Sequence, residues 1–224
     1  MHAPSRDLEI IVPAGPGEQS WRQLLDQLPD NWPLSLSAVD PRPSDLPARV
    51  RWLQGPAGRG RQLNAAARAS RARWLWFVHA DCRPSNRALD LIAGLCAGNE
   101  QVLAYLDLAF LPDGPSCTAL NALGANLRSR FFGLPYGDQG LCLPAAWFHR
   151  LDGFRTDLVR GEDLDFVVRA RAAGLPLRRL PARIHTSARR YRDQGWWATT
   201  WAHQVNAWQL VRAARQQPRH GDGQ

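Results

Sequence analysis

The segment Trp74-Leu75-Trp76-Phe77-Val78-His79-Ala80-Asp81 is an apolar run that ends abruptly in an acid, and much later the chain carries Gly161-Glu162-Asp163-Leu164-Asp165. An apolar run of that length reads as a buried strand, so Asp81 emerges at its carboxyl end, where open α/β sheets bind ligands. A carboxylate there can hold magnesium or manganese, hard cations that take oxygen ligands and stabilise charge on a departing diphosphate. It can equally cap the helix that begins near Pro84. Glu162 and Asp163 open a helix, where acids complement the dipole and the free amides. Gathering Asp157, Glu162, Asp163 and Asp165 in one short stretch of a basic chain is costly unless the acids are used. A carboxylate facing a hydroxyl can remove its proton as a general base. The two segments together have the layout of an enzyme that handles nucleotide diphosphates.

Three further groups carry chemistry-bearing side chains. In residues 55–64 (GPAGRGRQLN), Arg61-Gln62 stands where a phosphate-binding P-loop needs Lys followed by Ser or Thr, which excludes a P-loop. The glycines still let backbone approach a ligand, and Arg59 or Arg61 can fork onto phosphate oxygens or a base edge. In Gly137-Asp138-Gln139-Gly140, Asp138 and Gln139 can bond sugar hydroxyls or simply make a turn. His79 packs at the strand end or contacts a ribose. His185, beside Thr186-Ser187-Ala188-Arg189-Arg190-Tyr191, either completes a metal site, holds a phosphate, or is structural.

Positioning these residues requires a regular frame, and the chain supplies one. Residues 8–12 read as a first strand, followed by Trp21, Leu24, Leu25 and Leu28 at helical spacing. Residues 34–39 and 50–53 read as the next strands, 63–72 as an alanine-rich helix, and the tryptophan-rich run as the fourth strand. A helix through Leu89, Ile92 and Leu95, a strand over 102–110, a helix over 120–132, a short strand at 140–143 and helices over 144–151 and 163–173 complete the pattern. This alternation predicts an α/β domain with a mostly parallel central sheet and helices on both faces. Residues 194–216 carry Trp197, Trp201, Val205, Trp208 and Val211 on one stripe, an amphipathic C-terminal helix that packs on the core or lies on a membrane surface.

With 224 residues, 45% hydrophobic content and 10 tryptophans the chain can bury a full core, and one domain over 1–217 with a flexible tail at 218–224 is expected. Neither a membrane span nor a secretion signal is evident, so a cytoplasmic, at most membrane-peripheral, location is expected. Cys82, Cys96, Cys117 and Cys142 lack the spacing of a zinc site or a disulfide framework. The net charge is +8 and every basic side chain is arginine, which reads as compositional bias and not as nucleic-acid binding. Arginine-dense zones at 49–73 and 169–192 can flank an anionic ligand or an acidic membrane surface, or form a solvated basic face.

In six segments the sequence resembles a family 2 glycosyltransferase, especially the bacterial branch of radical-SAM/selenodomain-associated transferases. They are 58–69 (GRGRQLNAAARA), 77–84 (FVHADCRP), 136–141 (YGDQGL), 151–154 (LDGF), 161–166 (GEDLDF) and 186–191 (TSARRY), in order across most of the chain. The resemblance implies a GT-A fold, a nucleotide-sugar donor, a divalent metal (Mg or Mn) and inverting transfer by single displacement to a hydroxyl acceptor. It further implies that Asp40 contacts the base, that Asp81 is the metal-binding last acid of a DxD motif, and that Asp163 is the base of an ED motif. Arg189, Arg190 and Tyr191 fall where related enzymes hold diphosphate or acceptor. The chain departs from the pattern after Pro13, where Ala14-Gly15-Pro16-Gly17-Glu18 replaces a Tyr-Asn-Glu-like stretch, at Asp40-Pro41-Arg42, and at the first DxD position, which is His79. Alternatives are a degenerate nucleotide-sugar binder, a basic protein attaching to membranes through the tryptophan helix, and a nucleotidyltransferase, which lacks here its glycine-rich loop after the first strand. The acceptor is unnamed by the sequence, and a lipid-linked one would reconcile transfer with membrane contact.

Overall fold

Strand β1 (Leu8–Ala14) alternates between two cores, sending Ile10 and Val12 to one and Ile11 to the other. A central strand covered on both faces must be apolar at both parities, and β1 is. A computed structural model describes residues 7–158 and 160–194. After β1 come α1 (Trp21–Leu25), β2 (Leu34–Ala38), β3 (Val50–Gln54), α2 (Arg59–Ala69), β4 (Trp74–Phe77), β5 (Arg83–Pro84) and α3 (Asn86–Ala97). Then follow β6 (Leu103–Phe110), α4 (Thr118–Phe132), a 3-10 turn (Gly137–Gln139), β7 (Cys142–Pro144), α5 (Ala145–Arg150), α6 (Glu162–Ala172), β8 (Leu177–Thr186) and α7 (Arg189–Gln194).

These elements make one α/β domain on an eight-stranded sheet of order β3-β2-β1-β4-β7-β6-β8-β5. β1, β2, β3 and β4 run parallel, with Ile10 level with Leu34 on one side and Trp76 on the other. Because β2 and β3 grow outward on one side of β1 and β4 starts the other, the β1/β4 boundary is the switch point at which such sheets leave a crevice. β7 lies antiparallel to both β4 and β6, so the turn before it comes to the same edge as the carboxyl ends of β4 and β6. Phe77 N–H donates to the Leu141 carbonyl at 2.8 Å and locks that arrangement. β8 is parallel to β6 and likewise delivers its last residues there.

One core holds Trp74 and Trp76 with Trp21 of α1 and Ile92 of α3; the other holds Leu75 and Phe77 with Leu63 of α2, Phe148 of α5 and Phe166 of α6. Burying each such side chain stabilises the fold by roughly 1.5–3 kcal/mol. Helices on both faces match the expectation from sequence. Two strands are not announced by the pattern: the two-residue β5, and β8, which Pro181 and five polar or basic residues interrupt. Its register against β6 skips from Leu180 to Arg183, so Pro181 sits in a bulge where no ladder donor is needed. The first helix stops at Leu25, although Leu28 beyond it stays buried. Apart from Gln194, the last residue of α7, the amphipathic helix expected at 194–216 lies outside the described residues, as does the tail at 218–224.

Candidate active site

At the sheet edge where β4, β6 and β8 end, a cleft of about 370 Å³ opens. It is lined by Arg59 from the first turn of α2, His79 and Asp81 after β4, Tyr136 and Asp138 from the 3-10 turn, Glu162 and Asp163 from α6, and Arg189, Arg190 and Tyr191 from α7. Asp81 and Asp163, remote in sequence, thus face one cavity.

Gly161 caps α6 in the left-handed region at φ 83°, and the acids follow in the first helical turn. Asp163 accepts from Gly137 N–H at 2.6 Å through Oδ2 and from Leu164 N–H at 2.8 Å through Oδ1. Arg59 Nη2 stands 3.9 Å from Oδ2, while Arg59 Nε lies 3.1 Å from Oε1 of the buried Glu162. That pair is close but poorly aligned, since neither atom makes a hydrogen bond. Burial raises the Glu162 carboxyl above its ordinary value, partly offset by Arg59. A Cβ at Gly137 would lie 2.5 Å from Arg59 Nη2 and 2.8 Å from Asp163 Oδ2, so any larger residue there would displace these two side chains.

The Arg59 guanidinium also contacts His79 Nε2. A guanidinium only donates, so Nε2 accepts and the ring is neutral. Burial, with Arg59 and Arg190 nearby, pushes the His79 pKa well below its usual range. Asp81 is raised mainly by burial, against the pull of Arg189 at 3.8 Å. Arg189 also pairs with Glu18 and donates to Ser20 Oγ at 3.0 Å, tying the β1–α1 loop to the wall of the cleft. His79, Asp81 and Cys82 bring ligand atoms within 4.8 Å of one another. Burial raises the Cys82 thiol far above its ordinary value, so it stays protonated, and His79 is engaged by Arg59. Asp81 is therefore the oxygen donor that suits a hard cation, which commonly binds through one or two carboxylates plus substrate phosphates.

Asp138 has Oδ1 sealed from solvent without a hydrogen-bond partner. Burial first, then the charge of Asp163, pushes its carboxyl up to about 6. Gln139 does not face the cleft. Its amide accepts from Ser129 Oγ at 2.6 Å and Tyr136 N–H at 3.1 Å and donates to the Leu106 carbonyl at 3.1 Å, so it holds the turn and leaves nothing for a sugar.

Three other expected residues also fall outside the lining. His185 alternates with Thr186, and Thr186 faces the cleft, so period-two geometry turns the imidazole away; its Nδ1 lies 3.4 Å from the Arg83 carbonyl. A metal role beside Asp81 is thereby removed from His185. Arg61 is exposed one position beyond the buried Gly60. Asp40 accepts from Gly17 N–H at 2.7 Å and fixes the loop after β1. Residues not singled out from sequence do line the cleft, among them Tyr136, Arg160 and Phe110. Phe110 stacks edge-on with Tyr191 at 5.4 Å, and its position at the end of β6 was the available signal.

No family model matches the sequence, and no curated protein is significantly similar to it. Solved structures do share its fold. TarS of S. aureus (residues 1–349) bound to UDP superposes with a TM-score of 0.63 at 15% identity, over 81% of this chain and 60% of that one. TarS bound to UDP-GlcNAc gives 0.62 at 15% identity, over 81% and 58%. The mannosyltransferase PcManGT of Pyrobaculum calidifontis, in complex with GDP-Man and Mn2+, gives 0.58 at 15% identity, over 80% and 56%. The chain spans less than two thirds of each of these proteins, and it has their α/β fold.

Proposed function

We propose that the protein is a glycosyltransferase that moves a sugar from a nucleoside-diphosphate donor to a hydroxyl acceptor with inversion. The observation that carries this is the convergence of Asp81 and Asp163 on one cleft at the switch-point edge of the sheet, with Arg59, Arg189 and Arg190 around them. The structural neighbours bound to UDP-GlcNAc and to GDP-Man with Mn2+ support the choice of donor class. Asp163 takes the proton of the acceptor hydroxyl as it attacks the anomeric carbon; it is fixed for that task by two backbone amides. Arg189 and Arg190 balance the diphosphate, and the guanidinium fork suits its oxygens. A divalent cation, where present, supplies Lewis-acid stabilisation of the departing diphosphate, and Asp81 would hold it.

The test is direct. Asp163→Asn should keep donor binding and lose transfer by about 10²–10⁴-fold, the usual contribution of a general base. Asp81→Ala should weaken nucleotide binding in the presence of manganese. Normal turnover by Asp163→Asn would remove the base assignment.

One observation favours a metal-independent variant of the same chemistry: Arg189 already lies 3.8 Å from Asp81, a cation in the place where a metal would act. Chelation with EDTA separates the two, since transfer that survives it assigns the charge balance to Arg189.

A further inference from the structure

All five large apolar side chains that stand exposed among the described residues lie on a single helix. On α4, Leu120, Leu123, Leu127, Phe131 and Phe132 are 44–70% exposed. The helix buries its small residues, Ala122, Ala125 and Ser129, and turns its large ones outward. At about 100° per residue, Leu120, Leu123, Leu127 and Phe131 fall within an arc of about 80°, with the exposed Arg130 on one flank. No acid occurs in α4. At its carboxyl end the exposed Arg171 donates to the Phe132 carbonyl at 2.9 Å, so a second exposed guanidinium stands beside the two phenylalanines.

A contiguous apolar face of this kind marks an interaction surface. Its charge restricts the occupant. A second copy would set the same arginines against themselves in a two-fold contact. Residues 195–224 of this chain carry an apolar tryptophan stripe, but with Arg212, Arg215 and Arg219 against Asp222 alone they bring the same sign of charge as α4. An apolar stripe edged by the exposed Arg130 and Arg171, on a convex helix instead of in a groove, suits the boundary between acyl chains and anionic headgroups. No helix among the described residues is long and apolar enough to cross a bilayer, so the contact is at the surface.

We infer that the outward face of α4 docks on an anionic lipid bilayer, beside the cleft. Both ends of α4 are tied to the cleft rim. Arg128 stacks 3.5 Å over Tyr136, which lines the cleft, and Asp113, just before the helix, accepts from Ser187 Oγ at 2.6 Å and Ala188 N–H at 2.7 Å. A bilayer under α4 therefore lies next to the residues that would receive an acceptor, and membrane-borne hydroxyl compounds become the accessible class. Membrane docking itself requires no transfer chemistry and is measured without it.

The experiment is vesicle co-sedimentation of the full chain, using phosphatidylcholine alone and phosphatidylcholine mixed with phosphatidylglycerol, in parallel with light scattering of the free protein. The wild type should sediment with the mixed vesicles, lose binding as salt rises, and ignore the neutral ones. The triple variant Leu123→Gln, Leu127→Gln, Phe131→Gln keeps charge and helix propensity, and it should bind at least about tenfold more weakly with an unchanged melting temperature. Arg130→Gln, which leaves the apolar stripe intact, should bind the mixed vesicles measurably less tightly. Equal binding by the triple variant and the wild type would overturn the inference. So would a wild type that ignores vesicles, or one that forms a dimer which the triple variant breaks.

Discussion

Asp138 concentrates the tension at this site, because its carboxylate is buried, faces the charges of Asp163 and Asp81 only partly offset by Arg128 and Arg59, and has one oxygen with no partner. Its carboxyl is raised from the ordinary 3.8 to about 6, so the folded state holds the proton more tightly than the unfolded chain does. The sign follows: stability contributed by the protonated form is fully present below about pH 4 and is lost as pH rises through about 6. At about 1.4 kcal/mol per unit, the cost of the charged form at pH 8 is at most about 3 kcal/mol. Asp138→Asn removes it. In metal-free buffer the variant should therefore melt above the wild type at pH 8 and close to it at pH 4, and an equal gain at both pH values would show that charge is not the cause. Side chains of this kind are only partly legible from sequence. Asp81, Asp163 and Arg59 stand out by strand end, helix start and glycine context, and all three line the cleft. His185 shows the limit. Its neighbours Thr186 and Arg189 point into the cleft, and without knowing that 177–186 is a strand nothing in the sequence says which parity faces inward.

Between residues and fold stand the clips that hold one element against another. Asn64, buried on α2, donates to the Phe154 carbonyl at 2.7 Å and accepts from Phe154 N–H at 2.9 Å. This amide pins the helix that carries Arg59 to the loop that precedes α6, and so sets the distance from Arg59 to Glu162 and Asp163. Gly60 allows the same approach, because a Cβ there would lie 2.9 Å from the Arg155 carbonyl. Asn64→Ala strands a buried donor and a buried acceptor, at about 1–3 kcal/mol each. The variant should unfold at lower denaturant with an unchanged m-value, and should lose turnover beyond what its folded fraction explains. Normal kcat in the folded fraction would mean that the clip serves stability alone. At the second clip, Gly137→Ala should displace Asp163 and Arg59 and lower kcat while the fold persists; unchanged kcat would show that the acid and guanidinium positions are not critical. Elements whose cause is local were readable: the parallel strands from their apolar runs, α3 from the spacing of Leu89, Ile92 and Leu95, although its cap is Ser85, whose hydroxyl accepts from Ala88 N–H at 3.2 Å, and not Asp81. Elements whose cause is tertiary were not. β8 depends on a bulge that absorbs Pro181 and has no signature in its own stretch of chain, and the inward orientation of Gln139, within a turn its glycines do suggest, depends on partners ten to thirty-three residues away.

At the scale of the molecule the cleft is assembled from both ends of the described chain. Arg189, after the last strand, reaches Glu18 and Ser20, after the first, and stands 3.8 Å from Asp81 in the middle. The contact is partly exposed, since the Arg189 side chain is 42% accessible, and pairs of that kind contribute at most about 1 kcal/mol. Alone it is a weak clasp. A diphosphate bound between Arg189 and the loops after β1 and β4 would add charge-assisted bonds to both sides and tie the first and last elements together. Ligand at a hundred times its Kd stabilises the folded state by about 2.7 kcal/mol, which for a domain of this size raises Tm by about 5–11 °C. UDP or GDP should produce such a shift, whichever base the protein prefers. Arg189→Ala should leave the ligand-free Tm nearly unchanged and shrink the shift, because the clasp matters little until the anion is present. A shift of full size in Arg189→Ala would place the diphosphate elsewhere in the molecule, away from the closing of the chain's two ends.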